Sequence, residues 1–516
     1  MKASGALAGL LLVAAAAMSY RLDDPWMGKH AYASAQTARI ARHHLEDGLG
    51  VTRLASVLRV DRQSGRPGVV YAHRPPGFPL VLAGAFYVFG ARESVARATM
   101  IFVALLSVIC LDRLVLRLFD RPTAWLASML LALAPAMLYG GRIVSLTHPV
   151  LLWILASVLG YMRWLNSRRG FDFALLVTVM SAGMLTNWQA YYLSAILPAH
   201  FLLFERSRRG SGRVLILGLL APLWFALLVG HLLLVSPTAW NEITGVFRFR
   251  AGLMSVDEQL AFYDAVAEYS FGGLLLALAK HAFRWLTLPL IIATLAGAGV
   301  WLRRWKQAPA DRGRLAIVGM LLAPAALHTM LFHNTMYVHD YLIVLFLPGM
   351  AVLGALGLMW LWRRHTLGTR ALSAVLMLAF AAQSSAETYR FHMLEFPEPV
   401  VVGMELAKAL PANNPVVVIG LPYHPAVEWY ARREVNFVDR DGPLETQRGR
   451  QPRSVAVVKW PREWLQGLRK DRSDRAAERF VERTQAAIRY VAKHGRRCGE
   501  TRNLWLYTLP PPGEKQ

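Results

Sequence analysis

Arginine returns at a regular beat along this otherwise apolar chain. It clusters at Arg113, Arg117 and Arg121, at Arg163, Arg168 and Arg169, and at Arg206, Arg208, Arg209 and Arg213. It returns at Arg303, Arg304, Arg312 and Arg314, and last at Arg363, Arg364 and Arg370. Each gap between clusters holds two apolar segments. Lipid offers no partner to exposed backbone groups, so such segments cross a bilayer only as helices or closed barrels. Continuous runs, without the alternation of barrel strands, select helices. Positive charge collects in short cytoplasmic loops, so the clusters mark that side and the intervening loops face outward.

The pattern predicts about eleven spans. They cover residues 4–20, 95–115, 123–141, 146–164, 171–187, 189–205, 213–236, 285–302, 314–333, 339–361 and 370–386. Residues 4–20 also fit a cleaved signal peptide, but a retained first span entering from the cytoplasm agrees with the arginine order. Phe78 to Gly90 reads as a half-inserted helix and Gly272 to Phe283 as an interfacial one. An odd number of spans leaves the tail outside. Hydrophobic residues make up 55% of the chain, and the net charge of +24 lies largely in short loops. That charge reads as an orientation signal, and no nucleic-acid motif accompanies it. Cys110 and Cys498 fall in a span and in the tail, so no disulfide framework is expected. Arginine-over-lysine, alanine-rich usage suits a bacterium with a GC-rich genome, and the expected location is its inner membrane.

The tail, 387–516, changes character. Short β-branched runs occur at Pro415 to Gly420, Ser454 to Lys459 and Leu504 to Leu509, with a helical stretch at Asp474 to His494. Strands alternating with helices predict a small extracytoplasmic α/β domain. The predicted fold class is thus an all-α polytopic membrane domain over 1–386, whose first outer loop is 21–94, followed by this α/β domain over 387–516.

The residues that carry chemistry all fall on the outward side. Asp23 and Asp24 follow the first span. Adjacent carboxylates at a membrane boundary raise each other's proton affinity, and such a group can act as a general base. His73-Arg74-Pro75-Pro76 comes next; the double proline stiffens the backbone and presents both side chains in fixed orientation. Arg74 has the fork that grips a phosphate bidentately. Arg142 is a lone cation in a short outward loop, and Asn187-Trp188 forms a tight outward turn. His339-Asp340-Tyr341 opens a span, where it can hold a proton, a metal or a phosphate. A transporter places ionisable groups near the midplane; gathering them at the outer rim favours chemistry on a lipid-linked molecule.

In order and spacing these elements resemble the GT-C superfamily of membrane glycosyltransferases. More narrowly they are similar to the protein O-mannosyltransferase and aminoarabinose-transferase type (glycosyltransferase family 39-like). The likeness runs through the post-span acids, the His-Arg-Pro-Pro block closed by Phe89-Gly90 and Arg97, Tyr139 to Arg142, the outward turn and the late His339 to Tyr341. It implies inverting transfer of a sugar from a polyprenyl-phosphate donor, with Asp24 or Asp23 as general base. It implies Arg74 and Arg142 at the donor phosphate, with His73, His339, Tyr341, His30, Asn187 and Trp188 lining the substrates. The acceptor is a protein, lipid or glycan. No certain cofactor follows, and a divalent cation is left open. His148-Pro149 stands where the family often has Glu-Pro, and Asn187-Trp188 where it often has Asp-Trp. The rival expectations are an altered relative that binds lipid-linked glycans without transfer, and a transporter. A role for the tail in acceptor capture is testable with a chain ending near Glu387.

Overall fold

The computed structural model describes residues 3–61, 64–205, 211–263, 269–364, 366–411, 414–438, 454–459 and 474–509. Arg206, Arg208 and Arg209 and the terminal Pro510 to Gln516 lie outside the described residues. The chain forms two compact units. One takes residues 1–23, 40–253 and 269–393; the other takes 24–39, 254–268 and 394–516.

The first unit is helical. Among the described residues, six helices are long and apolar enough to cross a membrane, or up to eight spans if two bent pairs are each one span. Shorter apolar helices lie at Gly5–Met18, Gly77–Phe89 and Gly170–Thr186. The chain is therefore an integral membrane protein, with fewer full-length helices than hydropathy alone predicts. Proline explains one difference. The expected span at 123–141 breaks into Arg121–Leu133 and Pro135–Arg142, bent by 59°. Ala134 is extended, with ψ 146, as the residue before a proline prefers. The expected span at 189–205 is a 3-10 stretch, Trp188–Tyr192, followed by a helix of 12 residues, Leu193–Phe204. Phe271–Trp285 and Leu288–Gln307 meet at 104°, so the sequence-predicted interfacial helix and the span after it are separate rods.

Helices Leu288–Gln307 and Leu347–Arg363 approach at backbone distance. A Cβ on Gly297 would collide with the carbonyl of Leu353; small residues allow such close approach in lipid. The arginine clusters also neutralise acids set in the helices. Arg121 donates to both oxygens of the buried Asp112, at 3.1 and 2.9 Å, and Arg163 donates to the buried Asp172 at 2.7 Å. A hairpin not anticipated from the sequence, β1 (Val57–Asp61) and β2 (Arg66–Val70), precedes the double-proline block. Its apolar residues Val57, Val60 and Val70 pack with Leu228, Leu232 and Trp188.

The second unit carries a sheet of five strands: β3 (Val416–Ile419), β4 (Val435–Phe437), β5 (Ser454–Val458), β6 (Arg496–Glu500) and β7 (Leu504–Thr508). Their order is β4-β3-β5-β7-β6. The β3 pairings are parallel and the β7 pairings antiparallel. Valine-rich β3 and β5 are buried at every position, as strands covered on both faces must be. The three strands and the helix Asp474–His494 expected in the tail are present; β4 and β6 are additional.

The outer segment 24–39 belongs to this unit. The Trp26 amide donates to the Tyr430 hydroxyl at 2.8 Å, and the Phe396 amide donates to the Met27 carbonyl at 2.6 Å. Arg39 and Glu428 form an ion pair in which both side chains are buried, and Arg39 also donates to the Tyr423 hydroxyl at 3.1 Å. Removing one partner of such a pair leaves a charge buried without its counter-ion, which costs about 3–5 kcal/mol. Arg39→Ala is expected to lower the thermal midpoint sharply. Adding Glu428→Ala should recover much of the loss, and a strictly additive double mutant would show the pair to be uncoupled.

Candidate functional site

The site in the first unit is built outward from the double proline. Pro75 and Pro76 hold the chain out of helix until Gly77, where Gly77–Phe89 begins. A Cβ on Gly77 would stand 2.5 Å from the Leu185 carbonyl, so only glycine lets this helix start against the end of Gly170–Thr186. That approach brings Arg74 to Asn187. Arg74 donates to the Asn187 side-chain oxygen at 3.1 Å, and the same oxygen receives the Trp188 amide at 3.0 Å. The Trp188 indole donates to the His73 carbonyl at 2.7 Å. The proline block and the outward turn are therefore one structure.

An acid at position 187 would neutralise Arg74. An amide oxygen instead orients the guanidinium and leaves its charge intact. Asn187 is wholly buried, and its Nδ2 has no partner among the described residues. His328, bonded through Nδ1 to the Tyr192 hydroxyl at 3.0 Å, likewise has a buried Nε2 without a partner there. Buried polar atoms left unmatched cost about 1–3 kcal/mol each, so these two could each take a further polar partner.

Several residues converge on this point. His73 is 7% exposed, and its Nδ1 lies 2.7 Å from Glu242 Oε1. Burial, with Arg250 and Arg74 beside it, holds the His73 ring well below the usual imidazole range. The neutral ring then donates Nδ1–H to the Glu242 carboxylate. Arg250, Arg74 and His339 lie within electrostatic reach of His328, as do Arg74, Tyr71, Arg250 and Asp340 of Tyr341. His339 and Tyr341 stand with ring centroids 5.5 Å apart, at the start of the 3-10 stretch Asp340–Phe346. Glu242, Arg250 and His328 were not singled out from the sequence. The one available signal was Arg250's place among the few cations of an outward loop.

Arg142 is bonded to backbone. It donates to the carbonyls of Tyr20 and Arg21, and Arg97 donates to the Leu22 carbonyl at 2.7 Å. Arg21 in turn donates to the His392 carbonyl at 3.1 Å, and its φ of 57 is left-handed. The carbonyls leading into Asp23 are thus gripped by arginines. Loosening a reacting group by about 1 Å can cost on the order of 10²-fold. Arg142→Gln is expected to lower kcat with donor KM unchanged, and Arg142→Lys to restore part of it; a rise in KM alone would assign Arg142 to the donor instead.

Asp23 is exposed and Asp24 half-buried. Asp24 and His30 fall in the second unit, where His30, with φ 63, precedes helix Ala31–Glu46. His148 is buried, with Nε2 2.9 Å from the Ala136 carbonyl, a structural contact at the helix break. Among the described residues no three His, Cys, Asp or Glu side chains converge as a metal site. Cys110 and Cys498 are both free.

These features define a polytopic membrane protein with a cationic cluster beside a double-proline turn, and its fold is shared with the solved membrane proteins below. The family model for dolichyl-phosphate-mannose-protein mannosyltransferase matches residues 73–239, beginning at His73. The structure is similar to ArnT from Cupriavidus metallidurans bound to undecaprenyl phosphate, with TM-score 0.61, 15% identity and 98% of each chain covered. The apo state of that protein gives TM-score 0.58, 15% identity and the same coverage. The Archaeoglobus fulgidus oligosaccharyltransferase gives TM-score 0.55 and 13% identity, over 87% of this chain and 68% of that one. No curated protein sequence matches the chain.

Proposed function

We propose that this protein is a membrane glycosyltransferase that takes a sugar from a polyprenyl-phosphate donor and passes it to an acceptor at the outer face of a bacterial inner membrane. The observation that carries the reading is the Arg74 pocket: a guanidinium oriented by a neutral amide, with Arg250 near and the Asn187 amide and His328 ring unmatched. Phosphate oxygens and sugar hydroxyls suit those groups. The leaving group is a lipid phosphate whose developing charge needs fixed cations. ArnT, the fold's relative, is described with undecaprenyl phosphate, which supports a lipid donor here.

In this reading the Asp23–Asp24 pair activates the acceptor for inverting attack at the anomeric carbon, while Arg74, joined by Arg250, takes the phosphate. His73 stays neutral and fixes the turn through Glu242 and Trp188. Arg142 and Arg97 hold the chain leading into the acids. The test is reconstitution in vesicles with a labelled polyprenyl-phosphate sugar. Label moving to an acceptor, with an inverted linkage, supports transfer. Donor binding without transfer supports the altered-relative reading, and substrate flux without transfer supports a transporter.

A further inference from the structure

The arginine-rich face holds a cavity of about 380 Å³ that the reaction above does not use. Arg304, Arg314 and Arg363 line it, with one acid, Asp120, and an apolar wall that includes Leu356 and Trp360. The acid is already engaged. Asp120 pairs with Arg363 and caps helix Arg121–Leu133 by accepting the Thr123 amide at 3.0 Å. Arg314 is held in place by the carbonyls of Arg117 and Leu118, at 3.2 and 3.1 Å. The Arg304 guanidinium stands 6.0 Å over the Phe119 ring. The cavity therefore presents more positive than negative charge, and it does so beside apolar side chains at the ends of several membrane helices.

This place is separate from the Arg74 pocket. Arg314 lies in the first turn of the helix Arg312–Leu331 and His328 in its last turn; at 1.5 Å per residue they are about 21 Å apart along the axis. The two sites thus occupy opposite ends of one rod. A lone inorganic anion needs only the cations. A cavity of this size with an aliphatic and indole wall fits a headgroup that brings hydrocarbon with it. Basic pockets between helices on the cytoplasmic side recognise such headgroups, and the positive-inside pattern assigns this face to that side.

We propose that this cavity seats the phosphodiester headgroup of an anionic membrane lipid. Binding is tested on the full-length protein in detergent by native mass spectrometry and thermal shift. The probes are short-chain phosphatidylglycerol, phosphatidylcholine with the same chains, and inorganic phosphate. Phosphatidylglycerol is expected to bind saturably, and at least about tenfold more tightly than phosphatidylcholine. Arg304→Gln should weaken phosphatidylglycerol by a similar factor, and Arg304→Lys should retain most of it. Equal binding of the two lipids overturns the proposal. So does inorganic phosphate binding as tightly as phosphatidylglycerol, which would make this a small-anion site. Unchanged phosphatidylglycerol binding in a folded Arg304→Gln protein also overturns it. If that variant does not fold, the comparison of the three probes on the unaltered protein decides the question alone.

Discussion

Arg74→Gln is expected to lower kcat/KM for a polyprenyl-phosphate sugar by about 10²–10³-fold, the loss typical when one preorganised charge stabiliser is removed. The effect follows from how Arg74 is held. Asn187 fixes the direction of the guanidinium but contributes no counter-charge, so in the proposed reaction it leaves the cation to act on the leaving phosphate. Arg74→Lys keeps the charge and loses the planar fork, and should recover only part of the rate. The decisive measurement is single-turnover transfer in vesicles, with donor binding measured separately. If Arg74→Gln transfers within about twofold of the unaltered protein, a difference too small to represent a lost transition-state contact, the donor phosphate is held elsewhere.

The second large effect belongs to the acids. Asp23→Asn with Asp24→Asn should reduce transfer by about 10²–10⁴-fold, the usual span for loss of a general base. Donor binding should be little changed, because the Arg74 pocket is left intact. The single variants then identify which carboxylate accepts the proton. A double variant that loses donor binding in parallel with transfer would mean the acids shape the donor site, and a double variant with undiminished transfer would remove them from the mechanism.

Much of this arrangement can be read from the sequence, and the parts that cannot have clear physical reasons. Arginine spacing and apolar run length give the helical membrane fold because lipid permits so few alternatives. The double proline singles out His73 and Arg74 because proline restricts the chain locally. What escapes is whatever depends on distant segments meeting. Glu242 and Arg250 sit on a helix, Ala239–Arg250, whose charges look like those of any outer loop until His73 is found against Glu242. His328 lies inside an apolar run and looks like a packed core histidine. Arg142 is conspicuous as a lone outward cation, but nothing in its neighbourhood of the sequence reveals that its partners are carbonyls at Tyr20 and Arg21. The bend at Ala134 breaks a helix that the hydropathy pattern reads as continuous.

The pairing of Trp26 with Tyr430, 404 positions apart in the chain, bears on how the molecule is made. The residues that follow the first acid are synthesised early, yet their partners leave the ribosome only near the end of translation. Helix insertion can proceed for most of that time while this stretch waits unclaimed. A polypeptide stopped near Glu387 would never supply the missing half, so its inactivity would report an unfinished assembly and not a lost acceptor. Supplying the absent piece in trans as a separate polypeptide is the cleaner way to ask what the tail does.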